Sequence, residues 1–122
     1  MPRDPSKLQV FHRAHQLALD VYRVTDRLPA SERYALSAQL RRAVVSIPTN
    51  IVEGCRRDTA KEYRRFIEVA LGSACEVEYL LHLAVDLELL KEEDAAATCR
   101  ECTDHVAREL QNLLKAVAQF PA

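Results

Sequence analysis

Cys99-Arg100-Glu101-Cys102, with His105 three residues on, is the part of this chain whose residue types most invite chemistry. On a regular helix the three side chains share one face, and two thiolates with an imidazole suit a soft metal ion. Zinc sites usually draw a second ligand pair from elsewhere in the chain. A redox C-x-x-C normally opens a helix in an α/β setting, of which this sequence gives no sign. Both cysteines also fall on an apolar helical stripe, where cysteine packs as a small hydrophobe, and packing is the preferred reading.

Other constellations give less. His12 and His15 are three apart and flank Ala14, which belongs to an apolar seam, so both are read as surface residues. A carboxylate-bridged di-metal site in a helix bundle needs paired Glu-x-x-His motifs, and the sequence has none. Glu78 with His82 and Glu101 with His105 are ordinary i, i+4 neighbours. No nucleophile elbow, phosphate loop or zinc-protease helix is present. The residues give no catalytic constellation and imply no cofactor and no metal.

The basic residues carry more weight. Arg41, Arg42, Arg56, Arg57, Lys61, Arg64 and Arg65 face only Glu53, Asp58 and Glu62 in the same stretch. Such a cluster suits phosphates, RNA or DNA among them, bound electrostatically and with strong salt dependence. The competing reading pairs some of them internally. Arg41 or Arg42 would then meet Glu53, Glu76 or Glu78, as arginine's planar fork suits. Arg41 and Arg42 are read as structural, and Arg56, Arg57, Arg64 and Arg65 as exposed. The charge is also split along the chain. Residues 1–65 hold 13 Lys/Arg and 7 Asp/Glu, a balance of +6, whereas residues 66–122 hold 4 and 11, a balance of −7. The plain reading is two solvated faces that offset each other; the sharper one is a basic half that meets an anionic partner or a neighbouring subunit.

Helices must position these residues. From about Leu8 to Leu28, Val10, Ala14, Leu17, Val21, Val24 and Leu28 alternate spacings of four and three, a heptad seam. Ser6 and Gln9 stand in capping-box spacing before it, and Pro29 ends it. From about Glu32 to Glu53 the stripe is Leu36, Leu40, Ala43, Ile47 and Ile51, with Ser31 or Ser37 as the cap. Pro48 should kink this helix, and Gly54 suits the left-handed position just past its end. The stripe keeps its phase through the proline, so one kinked helix is preferred over two short ones.

From about Ala60 to Leu87, Thr59 and Glu62 form a capping box ahead of a seam of Tyr63, Phe66, Ala70, Ala74, Val77, Leu81 and Ala84. This helix would be about 40 Å long. Gly72, with Ala70, Ser73 and Ala74, makes a small-residue patch that another helix can approach. From about Glu92 to Phe120, three acidic residues open a helix whose inward face is Ala95, Cys99, Cys102, Val106, Leu110, Leu113, Val117 and Phe120.

The expectation is all-α: a single domain over residues 1–122, an antiparallel up-down-up-down four-helix bundle with a proline-kinked second helix. Only two glycines in 122 residues argue against a sheet, which needs them at turns. A hydrophobic share of 48% with 29% charged residues argues against disorder. The polar start and the lack of a bilayer-length apolar run predict a cytoplasmic protein with free thiols and no membrane partner.

The run Gln39-Leu40-Arg41-Arg42-Ala43, then Ser46-Ile47-Pro48 and Asn50-Ile51-Val52-Glu53-Gly54, resembles a known family motif. So do Glu62-Tyr63 with Phe66, Ala70-Leu71-Gly72-Ser73, and Glu76 with Glu78, as do Val10-Phe11 with Ala14 and Pro29 with Glu32-Arg33-Tyr34. The family is that of four-helix bundle proteins encoded within intervening sequences of bacterial 23S ribosomal RNA genes. The resemblance spans nearly the whole chain. It implies a homopentameric ring, no established enzymatic activity and a largely unassigned cellular role. It also implies similarity to the accessory protein of diversity-generating retroelements, a pentameric barrel that engages a reverse transcriptase and nucleic acid through a basic surface. On this resemblance Gln39, Arg41, Arg42, Ser46, Pro48, Asn50, Glu53, Gly54, Gly72, Ser73, Glu76 and Glu78 fix bundle and ring packing. Arg56, Arg57, Lys61, Arg64 and Arg65 are the candidates for nucleic acid. A ring needs two different surfaces on each subunit, and a chain with halves of opposite charge can supply them. The partner is then another copy of the chain, with RNA, DNA or a further protein as outside partners.

Overall fold

The computed structural model describes residues 3–118, and they are helical almost throughout. The helices are α1 (Gln9–Thr25), α2 (Leu36–Cys55), α3 (Ala60–Asp86), α4 (Glu92–Arg100) and α5 (Arg108–Ala118). A π-helical stretch, Glu101–Ala107, joins α4 to α5, so the last two form one long arm. Among the described residues there is no strand. Phe120 lies outside them.

The connections make an antiparallel bundle. Arg27 near the end of α1 meets Asp94 near the start of α4, while Arg13 near the start of α1 meets Glu109 in α5. Gln39 of α2 meets Glu76 of α3, and Cys102 meets Ala74. The most extensive packing joins α2 to α3, followed by α3 to the long last arm.

The apolar seams are what hold it. Every member of the first seam, Val10 through Leu28, is buried, and so is the α2 stripe of Leu36, Leu40, Ala43, Ile47 and Ile51. Tyr63, Ala70, Ala74, Val77, Leu81 and Ala84 of α3 close over them, with Phe66 half-buried at the edge. On the last arm Ala95, Cys102, Val106, Leu110 and Val117 are buried, and Cys99 and Leu113 half-buried.

Local details depart from expectation. Ser6 does not cap α1. It lies in a short 3-10 turn, Pro5–Lys7, where its amide and hydroxyl both donate to the Asp4 carboxylate at 2.9 and 2.7 Å. Those two bonds hold the Asp4 carboxyl below its usual range. The N-cap of α1 is Leu8, with no side-chain cap. Regular helix stops at Thr25 rather than Leu28, although turn-type bonds carry the coil on to Leu28. Neither Ser31 nor Ser37 caps α2, which starts four residues later than expected, behind Ala35. Thr59 does cap α3, through its hydroxyl to the Glu62 amide at 3.1 Å.

α2 runs unbroken through Pro48. The ring takes away the amide that would bond the Val44 carbonyl. Two side chains bond the carbonyls next along: Thr49 Oγ1 donates to Val45 at 2.7 Å and Asn50 Nδ2 to Ser46 at 2.8 Å. Gly54 is not a left-handed terminator. It lies inside the helix, buried, and no described glycine has a positive φ.

Candidate functional site

Three sets of residues carry the functional reading, and the α2–α3 seam is the most built. Gln39 Nε2 donates to Glu76 Oε2 at 3.3 Å. One heptad on, Ser73 Oγ donates to Ser46 Oγ at 2.8 Å, and Asn50 Nδ2 donates to the same Ser46 oxygen at 2.9 Å. One more turn along, Gly54 lets α3 come close. A Cβ there would stand 3.0 Å from Phe66 Cβ and 3.3 Å from Tyr63 Cδ1. Gln39 with Glu76, Ser46 with Ser73, and Gly54 are thus successive rungs between two antiparallel helices, and Asn50 braces Ser46 from within α2. Gly72 differs. Among the described residues no packed neighbour lies within 4 Å of a Cβ built on it, so the bundle uses Ala70, Ser73 and Ala74 of the small-residue patch but not Gly72 itself.

The two arginines of the motif part company. Arg41 turns to α1, not to Glu53, Glu76 or Glu78. Its Nε donates to Thr25 Oγ1 at 2.8 Å, its Nη2 to Asp26 Oδ1 at 3.0 Å, and its guanidinium lies 4.5 Å from the Tyr22 ring centre. Arg42 is exposed and has no ion pair among the described residues. Glu53 instead pairs with Arg57 at 2.6 Å. Glu78 is half-buried, without an ion pair among the described residues, beside the thiols of Cys99 and Cys102. Sequence spacing missed Tyr22, Thr25 and Asp26 because they reach Arg41 only through tertiary packing.

The basic corner forms where α2 ends and α3 begins. The Arg57 and Arg65 guanidinium groups lie 4.8 and 5.4 Å from the centre of the Phe66 ring. Arg64 pairs with Glu68 at 2.9 Å. Arg56, Lys61 and Arg65 are exposed and have no carboxylate partner among the described residues. Arg3 comes in from the amino-terminal segment, its guanidinium 3.8 Å from the Tyr63 ring centre and its amide bonded to the Cys55 carbonyl at 2.7 Å.

The cysteine trio does not converge, which corrects the expectation of a shared face. Cys102 is buried and donates to the Ala74 carbonyl at 3.2 Å; burial pushes its thiol up to about 12. Cys99 points to His82 Nε2 at 3.6 Å, with its thiol also raised by burial. His105 turns to α1, where it meets Arg13 and lies 3.7 Å from Glu101. Arg13 also reaches Glu101 at 3.3 Å and Glu109 at 2.8 Å. The π-helical stretch explains the scatter, since its wider turn breaks the 3.6-residue register on which the shared face depended. Among the described residues no group of three or more His, Cys, Asp or Glu is placed to hold a metal ion, and no helix is long and apolar enough to cross a membrane.

No curated protein matches the sequence. The fold resembles a crystal structure of a protein with unknown function from the S23 ribosomal protein family of Bacteroides thetaiotaomicron. The TM-score is 0.80 at 22% identity, over 87% of this chain and 98% of that one. Neither that description nor the family's assigns an enzymatic activity. The model of the 23S rRNA-intervening sequence proteins matches residues 6–112, spanning the seam, the basic corner and all five helices in whole or part, and the chain belongs to that family.

Proposed function

We propose that this chain is a non-catalytic interaction protein that assembles from identical copies, with the outer face of α2 and α3 as one contact surface. The observation that carries this reading is a pair of exposed valines, Val69 one turn before Gly72 on α3 and Val45 beside the Ser46 that bonds Ser73. Val45 and Val69 are 41% and 48% exposed, and Gly72 leaves the helix surface low beside Val69. The polar side chains alongside are already bonded to each other, so covering them strands few donors. The acidic arm of α4 supplies a surface of opposite character for a head-to-tail contact. The family resemblance supports closure at five subunits.

Light scattering after size exclusion tests this. The expected mass is five copies of the 13.8 kDa chain. Gly72→Leu is expected to lower it with helical content kept, because Gly72 is exposed and among the described residues no packed neighbour crowds a Cβ there. A single-chain mass for the parent at micromolar concentration overturns the reading.

A second reading, a nucleic-acid-binding accessory module, rests on the basic corner. Cations flanking the Phe66 ring, with Arg56, Lys61 and Arg65 unpaired among the described residues, suit a phosphate backbone. The similarity to the retroelement accessory protein that the sequence resemblance implies would favour it, and the overall charge of −1 works against it. Binding to structured RNA and duplex DNA across a salt series decides. Steeply salt-dependent affinity that is lost in Arg56→Gln/Arg65→Gln favours it; no binding at low salt removes it.

A further inference from the structure

The corner between α1 and α2 holds a cleft of about 450 Å³ that neither reading uses. Pro29, Arg33, Ser37 and Arg41 line it, with Thr25 and Asp26 behind the arginine. Arg41 is held rigidly there. Thr25 and Asp26 fix two of its nitrogens and Tyr22 lies against the guanidinium, which leaves Nη1 without a partner among the described residues. Arg33 is exposed and has no ion pair among the described residues.

The start of α2 opens beside it. This 20-residue helix has no side-chain N-cap, and the Leu36 amide finds only a long bond to Glu32 Oε1, at 3.4 Å. The amides of Ser37 and Ala38 find no backbone acceptor among the described residues. A helix start of this kind favours negative charge. Ser37 adds an independent sign. It is only 8% exposed, lines the cleft, and its hydroxyl has no hydrogen-bond partner among the described residues. The oxygen keeps a little accessible surface, and the cleft is where a ligand can reach it.

We propose that this cleft binds a phosphate-sized oxyanion, with Ser37 Oγ, Arg33 and the free Nη1 of Arg41 as its donors. Asp26 is the carboxylate of the cleft, and it is engaged on the far nitrogen of Arg41. Glu32, whose Oε1 reaches the Leu36 amide, is a second carboxylate at its edge, so the anion is held by directed donors and the helix start rather than by net positive charge. Its volume exceeds a bare phosphate, so the anion is either free phosphate or the phosphoryl end of a small phosphomonoester.

The test titrates the full chain with inorganic phosphate and with ribose 5-phosphate, following backbone amides by NMR against chloride at equal ionic strength. Saturable shifts at Ser37 and Ala38 are expected, and Ser37→Ala and Arg33→Gln should each weaken binding roughly threefold or more with unchanged circular dichroism. Tighter binding of ribose 5-phosphate assigns the site to a phosphomonoester, and equal affinity assigns it to phosphate itself. The proposal is overturned if those amides move no more with phosphate than with chloride. It is equally overturned if both variants bind as the parent does.

Discussion

Gly54 and Phe66 approach so closely that a Cβ on the glycine would stand 3.0 Å from the Phe66 Cβ. The atom it meets is anchored to the α3 backbone, so it cannot swing aside. Gly54→Ala gains up to about 1 kcal/mol of helix propensity. It also forces α2 from α3, the most extensively packed pair of helices, an overpacking cost of about 1–3 kcal/mol. A net loss of about 1 kcal/mol is expected in urea unfolding. Unchanged or increased stability would show that the helices can part without cost.

Glu88 is the described residue with a positive φ, at 61°. It closes α3 in a Schellman arrangement: the Leu89 amide bonds the Ala84 carbonyl at 3.0 Å and the Glu88 amide bonds Val85 at 2.9 Å. Glycine normally fills that position, because a side chain there costs about 1–2 kcal/mol. Glu88→Gly relieves that strain but gains freedom in the unfolded chain, for a net stabilisation of about 0.5–1 kcal/mol. Thermal unfolding of the two proteins side by side reads it directly.

The four thiols should separate under alkylation. Cys75 is exposed and should react first. Cys99 follows, half-buried with its thiol raised by burial and by the nearby Glu78 carboxylate. Cys55 and Cys102 are buried, and Cys102 holds its proton to about 12. Since the thiolate is the nucleophile, both should stay unmodified by iodoacetamide at neutral pH until the chain unfolds. Mass-resolved labelling that finds Cys102 among the fast sites would contradict its place in the core.

What the sequence revealed follows from which forces are local. The seams through Val10–Leu28 and Tyr63–Ala84 were legible because burial imposes a fixed period, and Thr59 was legible because a cap acts within three residues. Ser6 was misread because Asp4, two residues earlier, offers its amide and hydroxyl a better acceptor. Gly54 was misread because a glycine that ends a helix and one that admits a neighbouring helix look alike until the neighbour is placed. The partners of Arg41 lie fifteen and sixteen residues back, at a corner that no helical period encodes. The π-helical stretch leaves only a slight phase shift in the apolar pattern, yet it sends Cys99, Cys102 and His105 in three directions.

Tyr63 makes the strongest case for a pH effect. Its side chain is 1% exposed, and its hydroxyl is buried without a hydrogen-bond partner among the described residues. Burial pushes the phenol from 10.0 up to about 12 in the fold. The folded state therefore holds a proton that the unfolded chain gives up from pH 10. Stability from this group is complete below pH 10 and is lost as pH rises towards 12. Cys102 adds the same sign from pH 9 upward, its thiol moving from 9.0 to about 12. Urea unfolding at pH 7, 9 and 10.5 should therefore show a decline that Tyr63→Phe reduces at 10.5 but not at 9. At pH 7 the phenylalanine variant should match the parent or exceed it by about 1 kcal/mol, since it removes a buried polar group that nothing satisfies. A loss of that size at pH 7 would mean the hydroxyl is bonded after all. Separately, an alkaline decline that Tyr63→Phe leaves in place at pH 10.5 would belong to Cys102 and the remaining titrating groups.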